Sequence, residues 1–475
     1  MIEDFERCYR AVTAKDRRFD GWFITAVTST HIYCRPSCPA LTPRRSNVRF
    51  FATPAAAQAA GFRACKRCRP DASPGSPEWH ARGDLVARAM RLISDGIVER
   101  EGVGGLARQL HFSERHLHRQ ITAELGAGPQ AIARAYRAQA ARTLVETSDL
   151  GLAEIAFAAG FGSIRQFNDT IRDVFATTPS ELRSRSPRDG RPHGVLVLRL
   201  ARREPFDGQG LFDFLGQRAV PGLEAWDSDL FRRTLNLPHG GAMADLRLCP
   251  DHVSLTLQLE DMKDLASAVN RCRSLLDLDA DPEAIDESLA HDRRLAGLVR
   301  AVPGRRLPGS VDGFELACRA VVGQQVSIRA ARTLLARLVE ALGSPLPFSG
   351  DVSLRRFPTV TQVAEADLHG LGILPRRGAT LTALATAVAE GEITLDPGAD
   401  RDETESRLLQ IKGIGPWTAS YIRMRALGDP DVFLPTDLGA RRAAERVGLK
   451  GNLAEAAVSW RPWRSYALQH LWTAA

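Results

Sequence analysis

The segment Cys34-Arg35-Pro36-Ser37-Cys38 is matched further along the chain by a second close cysteine pair, Cys65-Lys66-Arg67-Cys68. Two cysteine pairs at this spacing supply four thiolates for a single tetrahedral metal ion, and zinc is the metal that proteins usually bind in this way. The sequence therefore predicts one Zn²⁺, bound by Cys34, Cys38, Cys65 and Cys68, at the centre of a small domain.

Basic side chains crowd this part of the chain. They are Arg35, Arg44, Arg45, Arg49, Arg63, Lys66, Arg67 and Arg69. Residues 1–71 contain 13 Arg or Lys and 6 Asp or Glu, so their net charge equals the +7 of the whole chain. Because clustered cations bind phosphates, we predict a nucleic-acid face here. The side chains expected to contact DNA on this face are Arg35, Arg45, Lys66 and Arg67.

Length and composition predict several globular domains. A chain of 475 residues holds about two to four domains, each with its own core. Its hydrophobic fraction of 44% and charged fraction of 25% are ordinary for globular protein. No apolar run reaches membrane-spanning length, and the first residues are charged rather than signal-like. We expect a cytoplasmic protein without a membrane partner.

Four segments of residues 1–72 resemble the N-terminal domain of the Ada family of DNA-repair and regulatory proteins. They are Arg18-Phe-Asp-Gly21, Tyr33-Cys-Arg-Pro-Ser-Cys38, Asn47-Val-Arg-Phe50 and Ala60-Gly-Phe-Arg-Ala-Cys-Lys-Arg-Cys-Arg-Pro-Asp71. In that family the first cysteine accepts a methyl group from a methylphosphotriester in the DNA backbone, and this position corresponds to Cys34. The spacing alone would also allow a purely structural zinc site.

The charge of such a site links methyl transfer to DNA binding. Four thiolates leave the zinc site with two excess negative charges, and methylation of Cys34 removes one of them. Because phosphate contacts dominate affinity for DNA, we expect the methylated protein to bind DNA more tightly.

Residues 83–185 show successive helical patterns with two similar units. In the first, a short helix over 103–110 precedes a second helix capped by Ser113. In the second, a short helix over 152–159 precedes a helix capped by Ser163. A short helix, a tight turn and a capped second helix form the helix-turn-helix pattern.

The spacing of Ala156, Gly160, Phe161, Ser163 and Phe167, followed by Thr178-Pro-Ser180, resembles the AraC/XylS family, whose DNA-binding domain carries two such units. The exposed positions of the two second helices are expected to face major grooves. These positions are Arg115, His116, Arg119, Arg165, Gln166 and Asn168. The alternative is that they form ordinary solvated helix faces.

Beyond residue 194 the pattern changes. Residues 194–200 and 252–259 read as strands, the latter with strict alternation, and residues 207–219 read as a helix. This predicts a small α+β domain up to about residue 281, followed by helices to residue 475. Within these helices, Gly413-Ile-Gly415 is typical of a helix-hairpin-helix, whose glycines let backbone N–H groups approach a phosphate.

Val432-Phe-Leu-Pro-Thr-Asp437 follows the hairpin, and with it residues 194–475 resemble the AlkA type of alkylated-base glycosylase. The resemblance implies a TATA-binding-protein-like (TBP-like) fold for the α+β domain and Asp437 as the catalytic carboxylate. It also implies a base pocket formed by Trp417, Tyr421 and Trp472, with Gln325 inserted into the base stack.

The resemblance predicts base flipping and hydrolysis of alkylated purines such as 3-methyladenine. Lyase members carry a lysine where Trp417 stands, so we expect a monofunctional hydrolase. No four-cysteine set follows the hairpin, so no iron–sulfur cluster is expected. Two other interpretations stay open. Asp437 could act as a helix N-cap, and the tryptophans could be core residues.

Together these patterns predict a multidomain α+β protein with four domains. They are a four-cysteine zinc domain (1–72), an all-α double helix-turn-helix domain (83–185), a small α+β domain (194–281) and an all-α helix-hairpin-helix glycosylase domain (282–475), with linkers at 72–82 and 184–193. We expect as partners alkylated DNA, promoter or operator DNA, and RNA polymerase. The rival hypothesis is a transcription regulator whose glycosylase-like half is only a non-catalytic DNA clamp.

Overall fold

The computed structural model describes residues 4–70, 77, 82–148, 150–184, 194–347, 354–449 and 451–474. These residues belong to two compact units. Unit 1 comprises Met1–Arg203 and Thr256–Asn270, and unit 2 comprises Glu204–Leu255 and Arg271–Ala475. Apart from Pro77, Arg82 and Ser184, the two predicted linkers lie outside the described residues.

Unit 1 begins with a small four-stranded domain, here called the zinc module. Its elements are α1 (Phe5–Ala14), β1 (Ile24–Val27), β2 (Ile32–Cys34), β3 (Val48–Phe51), α2 (Pro54–Ala59) and β4 (Arg63–Ala64), and its strand order is β3-β1-β2-β4. Strands β2 and β4 are parallel, with Tyr33 opposite Ala64. Because β2 ends in Cys34 and Cys65 directly follows β4, the two cysteine pairs leave the same end of neighbouring strands.

Seven helices follow the zinc module in unit 1. They are α3 (Leu85–Ser94), α4 (Ile97–Gln109), α5 (Glu114–Leu125), α6 (Pro129–Thr147), α7 (Leu152–Ala158), α8 (Ile164–Phe175) and α9 (Pro179–Ser184). The two predicted caps are confirmed, because Ser113 Oγ accepts from His116 N at 3.3 Å and Ser163 Oγ accepts from Gln166 N at 3.1 Å. Helices α5 and α8 are therefore the second helices of two helix-turn-helix units.

The apolar faces of these helices are buried. The residues in question are Leu106, Leu110, Leu117, Ile121, Ile155, Phe161, Phe167 and Ile171, none more than 3% exposed. Gly160 adopts a left-handed φ of 82° in the turn between α7 and α8, a conformation that favours glycine. The apolar side of each of these helices therefore faces the interior of unit 1.

The zinc module packs directly on the helix-turn-helix region. Ala55 and Ala56 of α2 share one hydrophobic core with Leu117, Ile121 and other buried residues of that region. Thr53 Oγ1 donates to the carbonyl of Leu125 at the end of α5 (3.5 Å), and Lys66 Nζ donates to the carbonyl of Ala176 just after α8 (2.9 Å). Both second helices therefore contact the zinc module at their carboxyl ends.

The segment that follows contains β5 (Val195–Leu200), α10 (Gly208–Gln217), β6 (Glu224–Asp227), β7 (Leu230–Leu237), β8 (Gly240–Leu248), β9 (Val253–Leu259) and α11 (Leu265–Leu275). In unit 2, β6, β7 and β8 form an antiparallel meander in which Phe231 pairs with Trp226 and with Leu246. Strand β9 has the alternation that the sequence predicts, since Val253, Leu255, Leu257 and Leu259 are buried. The boundary between the units passes through β9.

Helices make up the rest of unit 2. They are α12 (Pro282–Ala290), α13 (Arg293–Ala301), α14 (Gly313–Val322), α15 (Ile328–Leu342), α16 (Val360–Glu365), α17 (Pro375–Ala389), α18 (Arg401–Leu408), α19 (Pro416–Ala426), α20 (Leu438–Arg446), α21 (Leu453–Ala456) and α22 (Arg464–Ala474). Seven residues separate helix α18 from α19, and Gly413 and Gly415 lie in that connection, as a helix-hairpin-helix requires. Among the described helices, none has both the length and the apolar character needed to cross a membrane.

Candidate functional site

Four sulfur atoms converge at one end of the zinc module. The Sγ atoms of Cys34, Cys38, Cys65 and Cys68 all lie within 4.8 Å of one another. Contact with the other three sulfurs, together with burial, raises the pKa of the Cys34 thiol well above its usual range. Because four thiolates this close repel each other, the cluster requires a cation to be fully ionised, and a soft tetrahedral donor set fits Zn²⁺. Cys34 is half-buried, whereas the other three are buried.

A buried carboxylate that sequence reasoning did not select lies behind the first cysteine pair. Asp20 is 4% exposed. Its Oδ1 accepts from Ser37 N (3.0 Å), its Oδ2 accepts from Ser37 Oγ (2.6 Å), and Arg35 Nη1 lies 3.4 Å from the same Oδ2. Burial raises the pKa of Asp20, while the hydrogen bonds from Ser37 and the charge of Arg35 oppose this shift. Its one signal in the sequence is its place in Arg18-Phe-Asp-Gly21.

The four basic residues predicted to contact DNA here have different surroundings. Arg35 is half-buried against Asp20, and Arg67 is exposed. Arg45 pairs with Glu6 on the surface, and Lys66 donates to the backbone next to α8. Arg35 and Arg67 thus lie next to the cysteines, while the ammonium of Lys66 also serves as a link within the unit. Their contacts with DNA stay a prediction.

The side chains predicted to read bases lie on α5 and α8. Arg115, Arg119, Arg165 and Gln166 are exposed, and His116 and Asn168 are half-buried. His116 stacks on Phe112 with ring centroids 5.1 Å apart, and Arg119 Nη2 lies 3.3 Å from His116 Nδ1. Phe112 thus contacts a face of the His116 ring, and Arg119 contacts the ring edge at Nδ1.

In unit 2 the carboxylate of Asp437 receives three hydrogen bonds. Oδ1 accepts from Ala440 N at 2.8 Å, which caps α20. The same oxygen accepts from Trp472 Nε1 at 2.8 Å, and Oδ2 accepts from Trp417 Nε1 at 3.1 Å. The half-buried Asp437 therefore caps α20 and also contacts the aromatic cluster. Two indole N–H groups fix both oxygens of the carboxylate.

The three predicted pocket aromatics come together around this carboxylate. Trp417 and Tyr421 are one turn apart on α19 and stack with centroids 5.1 Å apart and planes 7° apart. Tyr421 meets Trp472 at 6.4 Å and 52°. All three pack against the hydrophobic core yet remain half-buried. The core interpretation and the pocket interpretation are thus compatible.

One cation beside this pocket was missed in the sequence. Arg425 Nη1 donates to Tyr421 Oη at 2.8 Å, and the guanidinium carbon lies 5.6 Å from the centre of the tyrosine ring. Burial lowers the pKa of Arg425. Arg425 follows Tyr421 by four residues on α19, one helical turn, and this spacing could have indicated the contact.

Gln324, a second residue that the sequence did not indicate, links Gln325 to the helix-hairpin-helix. Gln325 is exposed, with a left-handed φ of 55°, in the connection between α14 and α15. Its neighbour Gln324 donates through Nε2 to the carbonyl of Gly413 (3.0 Å) and to Thr418 Oγ1 (2.9 Å). Gly415 is the N-cap of α19 and is exposed. The side-chain amide of Gln324 therefore attaches the loop that contains Gln325 to the helix-hairpin-helix.

Family profiles match successive parts of the chain. They are the metal binding domain of Ada (residues 7–71), a helix-turn-helix domain (106–185), the AlkA N-terminal domain (197–312) and the HhH-GPD superfamily of base excision DNA repair proteins (318–459). Fold and sites thus define a class of protein that joins an Ada-type zinc domain and a helix-turn-helix to a base excision enzyme. The predicted fold class and the predicted zinc site are confirmed.

The relatives agree with this class. The chain is 52% identical, over its full length and 97% of the relative, to the bifunctional transcriptional activator/DNA repair enzyme AlkA of Mycobacterium tuberculosis. It is 33% identical to DNA-3-methyladenine glycosylase 2 of Escherichia coli, over 56% of this chain and 94% of the relative. The chain belongs to the family of bifunctional transcriptional activator/DNA repair enzymes of the AlkA type.

A solved structure supports the fold of the second half. The 3-methyladenine DNA-glycosylase from Archaeoglobus fulgidus matches 58% of this chain and 97% of its own, with a TM-score of 0.51 and 23% sequence identity. At that identity the likeness concerns the fold alone.

Proposed function

We propose that this protein responds to DNA alkylation through two chemical centres. Cys34 accepts methyl groups from methylphosphotriesters and thereby activates sequence-specific transcription control. The second centre, at Asp437, excises alkylated purines. The first activity is supported by the convergence of four cysteines, of which Cys34 is half-buried as a residue and the other three are buried. The second is supported by the carboxylate of Asp437, held by two indoles beside stacked aromatic rings.

In the methyl transfer, the Cys34 thiolate attacks the methyl carbon. The S–C bond forms while the C–O bond breaks, and the electron pair of that bond stays on the phosphate oxygen, which leaves as a phosphodiester anion. Bound Zn²⁺ supplies the charge that keeps the thiolates deprotonated at neutral pH. Cys34 ends as a methyl thioether, so each protein molecule reacts once. The loss of one negative charge strengthens binding to phosphates.

Methylation then favours occupation of a promoter by α5 and α8. Arg115, Arg119, Arg165 and Gln166 are exposed on these helices and available to base edges. Activation of transcription also requires contact with RNA polymerase, which we include in the proposal.

In the excision reaction, the damaged nucleotide is flipped out of the duplex into the aromatic cluster. A positively charged alkylated purine is attracted to the faces of Trp417 and Tyr421. The bond between the sugar and the base breaks with its electrons leaving on the base, and the carboxylate of Asp437 stabilises the oxocarbenium-like sugar. A water then adds to the sugar carbon and gives its proton to the carboxylate of Asp437. Trp417 offers no amine for a covalent intermediate, so we propose a monofunctional hydrolase.

The test is release of methylated bases from alkylated duplex DNA by wild type and by Asp437→Asn. Asparagine keeps the N-cap and the size of the side chain, so the variant should fold but lose on the order of 100-fold or more in excision rate. Asp312→Asn, at the N-cap of α14, is the matched control. Equal release by wild type and Asp437→Asn would contradict the catalytic role of Asp437 and favour the rival hypothesis of a non-catalytic DNA clamp.

A further inference from the structure

The 34–38 turn, which carries the methyl acceptor, is tied to a buried carboxylate that serves no role in the chemistry described so far. Asp20 lies in a loop before β1 and is linked to Ser37 by two hydrogen bonds of 3.0 and 2.6 Å. The carboxylate also pairs with Arg35, the residue that directly follows Cys34, while Arg203 donates to the backbone carbonyl of Asp20 (2.6 Å). One carboxylate thus engages both the backbone and two side chains of this turn.

Arg35 is only partly satisfied within the protein. Its Nη1 lies 3.4 Å from Asp20, its side chain is 29% exposed, and its Nε has no hydrogen-bond partner among the described residues. An unpaired buried donor is costly, and a guanidinium binds phosphoryl oxygens well. The Arg35 side chain is paired with Asp20 and partly exposed, so a ligand that carries such oxygens can reach its guanidinium, whereas Nε itself is buried.

We propose that Asp20 is a positioning residue for methyl transfer, which holds the 34–38 turn and directs Arg35 to the phosphotriester that reacts with Cys34. This inference rests on the proposed function of Cys34. During the reaction the C–O bond gives its electron pair to a phosphate oxygen, so negative charge develops there. Arg35 stabilises that charge more strongly than it stabilises the neutral triester, and it therefore acts on the reaction rate.

The sign of the effect separates positioning from simple electrostatics. Asp20 carries negative charge into a DNA-binding region, so its removal alone would strengthen binding to phosphates. If Asp20 positions Arg35, its removal instead lowers the rate of methyl transfer at saturating DNA. The two effects appear in different measured quantities.

The experiment uses the full zinc-loaded chain in single-turnover reactions with a duplex that carries one methylphosphotriester. Asp20→Asn should lower the saturated rate of methyl transfer by roughly 10- to 100-fold, with unweakened DNA binding. Arg35→Met should lower it by a similar factor, and the double variant should lose no more than the larger single loss. Ser37→Ala, which removes only the hydrogen bond from Ser37 Oγ to Asp20, should show a smaller loss of methyl-transfer rate. Asp16→Asn, in the same module, is the matched control.

Methyl iodide supplies a second readout, because it methylates a zinc-bound thiolate without a phosphate to be aligned. Asp20→Asn should react with methyl iodide at Cys34 at the wild-type rate and keep its zinc. An equal fall with both reagents would show a merely structural role and overturn the proposal. So would a wild-type rate on the triester, or losses that multiply in the double variant. Should Asp20→Asn not fold, Ser37→Ala decides by the same two reagents. A wild-type protein that never carries the methyl label on Cys34 would contradict the proposed function itself.

Discussion

Gly413→Ala should disable the excision activity through the helix-hairpin-helix and leave methyl transfer unchanged. Gly413 has a φ of +103°, where an L side chain is strained by about 1–3 kcal/mol. A Cβ at this position would lie 2.1 Å from Thr380 Oγ1, so the threonine would have to move. Thr380 Oγ1 donates to the carbonyl of Lys412 (3.0 Å) or that of Arg376 (3.1 Å), and loss of such a bond costs about 1 kcal/mol.

Together these contributions would destabilise the present conformation of the hairpin by about 2–4 kcal/mol. If the hairpin shifts to relieve the strain, its N–H groups no longer meet the phosphate. Excision on alkylated duplex should then fall by about 30- to 1000-fold at subsaturating DNA, measured as base release per unit time. The free energy of unfolding of the variant should fall by no more than the same few kcal/mol.

Gly428→Ala is the matched control. Gly428 also has a positive φ (+59°), but a Cβ there would meet nothing within 4 Å, and it lies outside the hairpin. It should lose stability without a comparable loss of excision. The reasoning is refuted if Gly413→Ala releases bases at the wild-type rate, or if both variants lose activity equally.

Two further predictions concern the two centres. Trp472→Phe keeps an aromatic ring but removes the donor to Asp437 Oδ1, a charge-assisted hydrogen bond of about 1.5–3 kcal/mol, so excision should fall by about 10- to 100-fold; unchanged kinetics would show that the second indole, on Trp417, is sufficient. Removal of zinc by a chelator should abolish methyl transfer, because contact with the other three sulfurs and burial raise the pKa of Cys34 and leave it a thiol at neutral pH, while base release should persist. Mass spectrometry of Cys34 and the excision assay on the same sample check both halves of this prediction, and methyl transfer by the zinc-free protein would contradict it.

Local chemistry made much of the fold predictable. Ser113 and Ser163 cap helices where the sequence places them, and the strict alternation of 252–259 gives one buried face. These signals succeed because an N-cap or an alternating strand is determined by residues a few positions apart. The clustering of the cysteines is predictable for a similar reason, since metal coordination requires particular ligands at particular spacings.

The supporting residues of the sites were less predictable because they act over long sequence distances. Asp20 and Ser37 are 17 positions apart, and Gln324 and Gly413 are 89 positions apart. Neither Asp20, in its loop, nor Gln324, next to Gln325, lies in a local sequence pattern that reveals its partner. Likewise, Ala55 and Ala56 look like ordinary residues of a short helix, and the structure places them in the core of the helix-turn-helix region.

The contacts of the zinc module with the ends of α5 and α8 have a consequence for the order of events on DNA. Cys34, α5 and α8 belong to one compact unit, so a molecule brings all three to DNA together. A damaged phosphate and a promoter then compete for the same molecule. On the proposed function, each molecule surveys DNA until Cys34 is methylated and then passes, once, to occupation of a promoter.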